Sequence, residues 1–172
     1  MTENAKVGPG GGPAQIADLA ERVREGSTES EDERELRIRL EVSGGTAGEK
    51  FELRFAATES GRLEIYFVNE LRQVEPQREE GELSQEEFRR LLESMDVLQL
   101  SQLSHLRQPI PPCSVVGRLM VSDGRQEVRV LYMAEPEQAR EAGFRVHPSI
   151  ERAAEAIYGL VSERLSVKEV RP

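Results

Sequence analysis

The apolar positions of the chain follow two periods. Leu36, Ile38, Leu40 and Val42 alternate with Arg37, Arg39 and Glu41, the two-residue period of a half-buried strand. Phe51, Leu53, Phe55 and Ala57 repeat the alternation around Glu52 and Arg54, and Leu63, Ile65 and Phe67 make a third strand. Ser43-Gly44-Gly45-Thr46-Ala47-Gly48 and Glu59-Ser60-Gly61-Arg62 separate them, and such short glycine turns predict an antiparallel meander. Glu70 to Glu82 is charged, contains Pro76 and reads as a loop.

The helical period begins at Leu83-Ser84-Gln85-Glu86-Glu87-Phe88. Ser84 can cap the amide of Glu87 while the Glu87 carboxylate reaches back to the amide of Ser84, and Leu83 and Phe88 are placed for a hydrophobic staple. Phe88, Leu91, Leu92 and Met95 form its stripe, ending near Asp96. Val97 to Leu106 is short and partly apolar and fits neither period. Pro109-Ile110-Pro111-Pro112 must be extended, because each proline disfavours helix in the residue before it.

Ser114 to Ser122 and Arg125 to Met133 read as a hairpin around Asp123-Gly124, the preferred two-residue type I′ pair. That turn predicts Leu119 opposite Val128, Gly117 opposite Val130 and Val115 opposite Tyr132, all on one face. After a loop containing Pro136 and Gly143, Pro148 suits the first turn of a last helix. Its stripe is Ile150, Ala153, Ala154, Ile157, Tyr158 and Val161, running to Leu165, with a frayed tail after Ser166. The order β-β-β-α-β-β-α predicts an α+β fold, an antiparallel sheet of about five strands with both helices packed on one face.

Ahead of this domain, residues 1–34 read as a flexible arm. Gly8-Pro9-Gly10-Gly11-Gly12-Pro13 buries too little apolar surface to offset its ordering entropy. Ala14 to Arg24 is a short amphipathic helix with Ile16, Leu19, Ala20 and Val23 on one face, and Gly26 to Glu35 is an acidic linker. The expected organisation is thus the arm (1–34, helix 14–24), one α+β domain (35–166) and a tail (167–172).

Composition narrows the function classes. The 172 residues fit one domain with tails. With 23 Lys+Arg against 32 Asp+Glu and a net charge of -9, an electrostatically driven nucleic-acid binder is excluded. Apolar runs are too short for a membrane span, and the polar N-terminus lacks the apolar core of a secretory signal. One cysteine, Cys113, allows no internal disulfide and no thiolate metal site, which points to a reducing, cytoplasmic setting.

Candidate chemistry is sparse. His105 and His147 lie far apart with no metal-ligand spacing; they read as a polar-loop residue and a residue just before a helix. Cys113 follows two prolines and reads as a small apolar residue at a strand edge rather than a nucleophile. The glycine clusters lack the strand-to-helix context of a phosphate loop, and Glu86-Glu87 sits at a helix N-terminus where the macrodipole favours acids. The expectation is a chain with no catalytic residue, cofactor or metal. Two features suggest a protein partner. Val116, Met120, Leu131 and Met133 share the second face of the hairpin; they form an exposed patch unless the N-terminal helix or the Val97 to Leu106 segment covers them. The stripe Ile16, Leu19 and Val23 can dock on this domain or in another protein's groove.

Leu36-Arg37-Ile38-Arg39-Leu40-Glu41-Val42-Ser43-Gly44-Gly45-Thr46-Ala47-Gly48 resembles the opening of emfourin-like proteins, small bacterial inhibitors of thermolysin-like metalloproteases, in which an amphipathic strand runs into S-G-G-x-A-G. The later order is also similar: an L-x-x-E-E helix at Leu83 to Glu87, a proline loop, a D-G hairpin and a final helix, covering about Glu35 to Leu165. This chain departs from that pattern in its N-terminal extension and in the residues around Glu70 to Glu82. The resemblance implies a molecule that binds across a metalloprotease cleft without hydrolysing anything, with Ser43, Gly44 and Gly45 as its matched surface. Together these readings predict a non-catalytic protein-binding module, either a protease inhibitor or an accessory subunit of a larger assembly.

Overall fold

A computed structural model describes residues 13–26, 35–104 and 109–172. Residues 1–12, 27–34 and 105–108 lie outside the described residues, and with them His105, the glycine-rich N-terminus and most of the expected linker. The fold is α+β. Strands β1 (Arg37–Gly44), β2 (Phe51–Thr58), β3 (Arg62–Asn69), β4 (Val74–Glu82), β5 (Val116–Ser122) and β6 (Glu127–Met133) make one antiparallel sheet, ordered β4-β3-β2-β1-β5-β6. Helices α1 (Pro13–Glu25), α2 (Gln85–Glu93), α3 (Val97–Leu103) and α5 (Pro148–Leu165) share one apolar core with one face of the sheet. The short α4 (Pro136–Glu141) links β6 to α5.

Strands β1, β2 and β3 follow the predicted alternation, with Ile38, Leu40, Val42, Leu53, Phe55, Leu63, Ile65 and Phe67 buried. The capping box of α2 is present in both directions: the Ser84 hydroxyl accepts from the Glu87 amide at 3.2 Å, and the Glu87 carboxylate accepts from the Ser84 amide at 2.8 Å. Those hydrogen bonds, with a further one from Arg164, hold the Glu87 carboxyl below its ordinary value.

The sixth strand is β4, where a loop was expected. Its sequence, V-E-P-Q-R-E-E-G-E, has no apolar alternation because none of its residues is fully buried. It is held by the backbone ladder to β3, and its charges and Pro76 are what an edge strand tolerates. The segment that matched neither period is α3, capped by Asp96 accepting from the Gln99 amide at 3.1 Å, with Val97 and Leu100 turned into the core. The expected frayed tail is docked instead: Val170 is 3% exposed, Arg171 pairs with Glu155 and Arg72 pairs with Glu169.

The hairpin forms with its register slid by two residues. Val121 faces Val128, Leu119 faces Val130 and Gly117 faces Tyr132. The turn is centred on Gly124 and Arg125, with Gly124 at φ 84° in its first central position, as a type II′ turn requires. Asp123 sits before the turn because its carboxylate accepts from the Arg125 and Gln126 amides at 3.0 and 2.9 Å. A slip of two keeps every side chain on its predicted face, since the strand period is two.

The same carboxylate ties the hairpin to α1. Asp123 is 1% exposed, and Arg22 of α1 donates to it at 3.2 Å. Leu19 and Val23 lie beside this pair in the core, with Ile16 partly buried. The amphipathic helix is therefore packed on its own domain, so the body of the fold includes part of the expected arm. Gly117 has a different necessity. A Cβ there would meet Tyr132 Cζ at 2.3 Å, so the absent side chain is what lets the Tyr132 ring lie across β5.

Two mutational outcomes follow from these contacts. Asp123→Ala removes the turn acceptor and the nearer of the two carboxylates that Arg22 pairs with, Glu59 standing at 3.8 Å; it should lower unfolding stability by about 2–3 kcal/mol, while Asp123→Asn, which keeps an acceptor for the turn, should lose less. Gly117→Ala should destabilise by about 1–3 kcal/mol through overpacking against Tyr132, and Tyr132→Leu in the same chain should recover part of that loss, both read by urea melts.

Candidate functional site

The sheet has one dry face and one wet face, and the predicted partner-binding residues divide between them. Ile16, Leu19 and Val23 lie on the helical side, in or against the core. Ser43, Val116, Met120, Leu131 and Met133 lie on the opposite, outer face. Antiparallel pairing puts Ser43 opposite Val116, and Val116 opposite Met133, in one cross-strand row at the end of the sheet where β1 enters its glycine turn. The structure therefore joins two features that are more than seventy positions apart in the chain, the S-G-G turn and the outer face of the hairpin.

The four hairpin residues are not exposed together as expected. Leu131 is 53% exposed and Val116 half-buried, but Met120 and Met133 are buried. Neither α1 nor α3 covers them, because both pack on the other face. Met120 stands between Arg39 and Arg129 in its row, where the aliphatic stems of long arginines shield a neighbour.

The turn itself is rigidly built. A Cβ on Gly44 would come within 2.6 Å of the Val115 Cα, and one on Gly45, at φ 95°, within 2.2 Å of the Glu49 carbonyl. Both glycines are thus demanded by close backbone approach. The Glu49 amide donates to the Thr46 carbonyl at 3.0 Å, and Lys50 and Glu70 exchange bonds between the Glu70 carboxylate and the Lys50 amide (3.0 Å) and between the Glu70 amide and the Lys50 carbonyl (2.9 Å). The Lys50 ammonium lies 2.8 Å from Glu52, whose carboxylate raises its pKa. Ser43 to Gly48, Lys50, Phe51 and Glu70 enclose a shallow hollow of about 530 Å³. It offers a hydroxyl, peptide groups and engaged charges.

A second concavity adjoins the same row. A cleft of about 740 Å³ is lined by Val130 to Met133 of β6 and by Phe144, Arg145, Val146 and His147, with Leu103 and Ile150 also in its lining. The segment containing Pro136 and Gly143, expected as a loop, holds α4 and then lines this cleft; the alternation of Phe144 and Val146 around Arg145 is its trace in the sequence.

The remaining candidates have structural roles or lie apart. His147 caps α5, its Nδ1 accepting from the Ser149 amide at 3.1 Å. Cys113 is exposed on a turn at φ 64°, not packed as a small apolar residue at a strand edge. Among the described residues no three His, Cys, Asp or Glu side chains group to hold a metal, and no helix is long and apolar enough to cross a membrane. No protein-family model and no curated protein matches the chain.

Tyr132 backs the cleft from the core side, and burial pushes its hydroxyl well above the ordinary value of 10.0. Burial also pushes Tyr158 up to about 12. Both phenols hold their protons more tightly in the folded chain than in the unfolded one. Their contribution to stability should be complete below pH 10.0 and fall as pH rises from there towards about 12. Denaturant melts across that range should show the decline, and Tyr158→Phe should make it shallower.

Proposed function

We propose that the chain is a non-catalytic protein-binding module. It engages its partner through the end of the sheet where the β1–β2 turn meets the outer face of the β5–β6 hairpin. The observation that carries this reading is the row Ser43–Val116–Met133, which makes the glycine turn and the hairpin face one continuous surface with Leu131 exposed in the adjoining row. The exposed Leu131 and half-buried Val116 beside a rigid backbone turn offer a small apolar contact with a preorganised rim.

The emfourin-like resemblance is carried by β1 and its S-G-G-T-A-G turn, and these stand at this same end. A thermolysin-like metalloprotease is therefore the first partner to test, with the chain acting as its inhibitor. An accessory subunit of a larger assembly would use the same surface. It would do so without α1 as an adaptor arm, since Leu19 and Val23 are spent in the core.

Titration of a thermolysin-like protease should remove peptidase activity stoichiometrically, and Ser43→Arg or Val116→Glu should weaken inhibition by about tenfold or more. No inhibition at micromolar protein removes the inhibitor reading. Affinity capture from the native host then tests the broader one: a specific partner retained by the natural chain and lost by Ser43→Arg supports it, and an identical set of captured proteins for both overturns it.

A further inference from the structure

The two edges of the sheet differ in kind. Edge strand β4 carries Pro76 and four glutamates within its nine residues, the usual devices against strand addition. Edge strand β6, E-V-R-V-L-Y-M, has no proline and high strand propensity. Hydrogen bonds from the Asp123 amide to the Gln126 carbonyl (3.1 Å) and from the Ala134 amide to the Val115 carbonyl (2.8 Å) fix which β6 residues bond to β5. They are the even-numbered ones. Arg129, Leu131 and Met133 therefore direct their N–H and C=O groups to the open edge, where among the described residues no strand lies.

That edge opens into the cleft of about 740 Å³. Its far wall, Phe144 to His147, is outside any helix or strand and stands beside β6 without pairing to it. The walls supply apolar surface from Phe144 and Val146. Their charge is positive on a chain whose net charge is -9: Arg140 and Arg145 line the cleft against one acid, Glu151. Arg145 is exposed and makes no ion pair among the described residues; Arg140 reaches Glu137 only at 3.9 Å, with both side chains 78% exposed.

We infer that β6 accepts an added strand: an extended, acidic segment of a partner protein, alternating apolar and acidic residues, lies in this cleft. Its backbone pairs with Arg129, Leu131 and Met133, and its carboxylates face Arg145 and Arg140. The mode is strand addition, in which peptide hydrogen bonds supply affinity and alternate side chains supply selectivity. The inference rests on the protein-binding reading above and names the chemistry of the bound segment.

The test uses the full chain and a capped peptide matched to the seven residues of β6, alternating valine and glutamate. The peptide should bind and slow hydrogen exchange at the Arg129, Leu131 and Met133 amides. Replacing its glutamates with lysines, or its central valine with proline, should weaken binding about tenfold, as should Arg145→Glu in the protein. Three results overturn the inference: no protection of those amides at millimolar peptide, affinity unchanged by the lysine and proline peptides, or β6 occupied by a second copy of the chain. Its failure is separable from that of the broader reading, because Ser43→Arg lies outside the cleft. A host partner lost on Ser43→Arg but kept on Arg145→Glu would leave protein binding standing and remove strand addition.

Discussion

Every strand except β4 turns its core side chains to the same face, so the sheet cannot exist without a cover on that side. Four helices supply it, and their placement accounts for most of the molecule. The opposite face stays wet and balances its own charge. Across it run Arg118, Glu41, Arg54, Tyr66 and Arg78 in successive cross-strand positions, with Arg54 and Arg78 lying 4.5 and 5.8 Å from the Tyr66 ring. Exposed pairs of this kind contribute little stability each, about 0–1 kcal/mol. Their larger effect is to keep a broad open face soluble.

Where burial imposed a period, the fold was legible in the sequence. The three strands of the meander and the box around Ser84 and Glu87 stand where alternation and local hydrogen-bonding logic placed them. Strand β4 was hidden because its stability comes from backbone pairing to β3, which leaves no mark on side-chain order. Helix α3 is only seven residues long, too short to show a period. The hairpin slid by two because Asp123 serves as an acceptor inside the turn and as a partner to Arg22, a contact spanning a hundred positions that no local rule anticipates.

The candidate surface was legible in its parts and not in their assembly. Ser43 to Gly45 and the hairpin face were each visible, but only the pairing of β1 with β5 sets Ser43 beside Val116. The helical stripe was equally visible and proved to belong to the core, because Leu19 and Val23 found their cover within the chain. The cleft beside β6 had the weakest signal, since Phe144 and Val146 contribute to it from a segment with no regular structure.

The unequal edges also bear on growth. A sheet that is receptive at both sides can propagate, each recruit offering a fresh border to the next, which is how cross-β fibres lengthen. Here the proline and acids of β4 seal one border. Recruitment of whole molecules in a continuing head-to-tail series is thereby blocked, and any assembly through β6 terminates at a finite size.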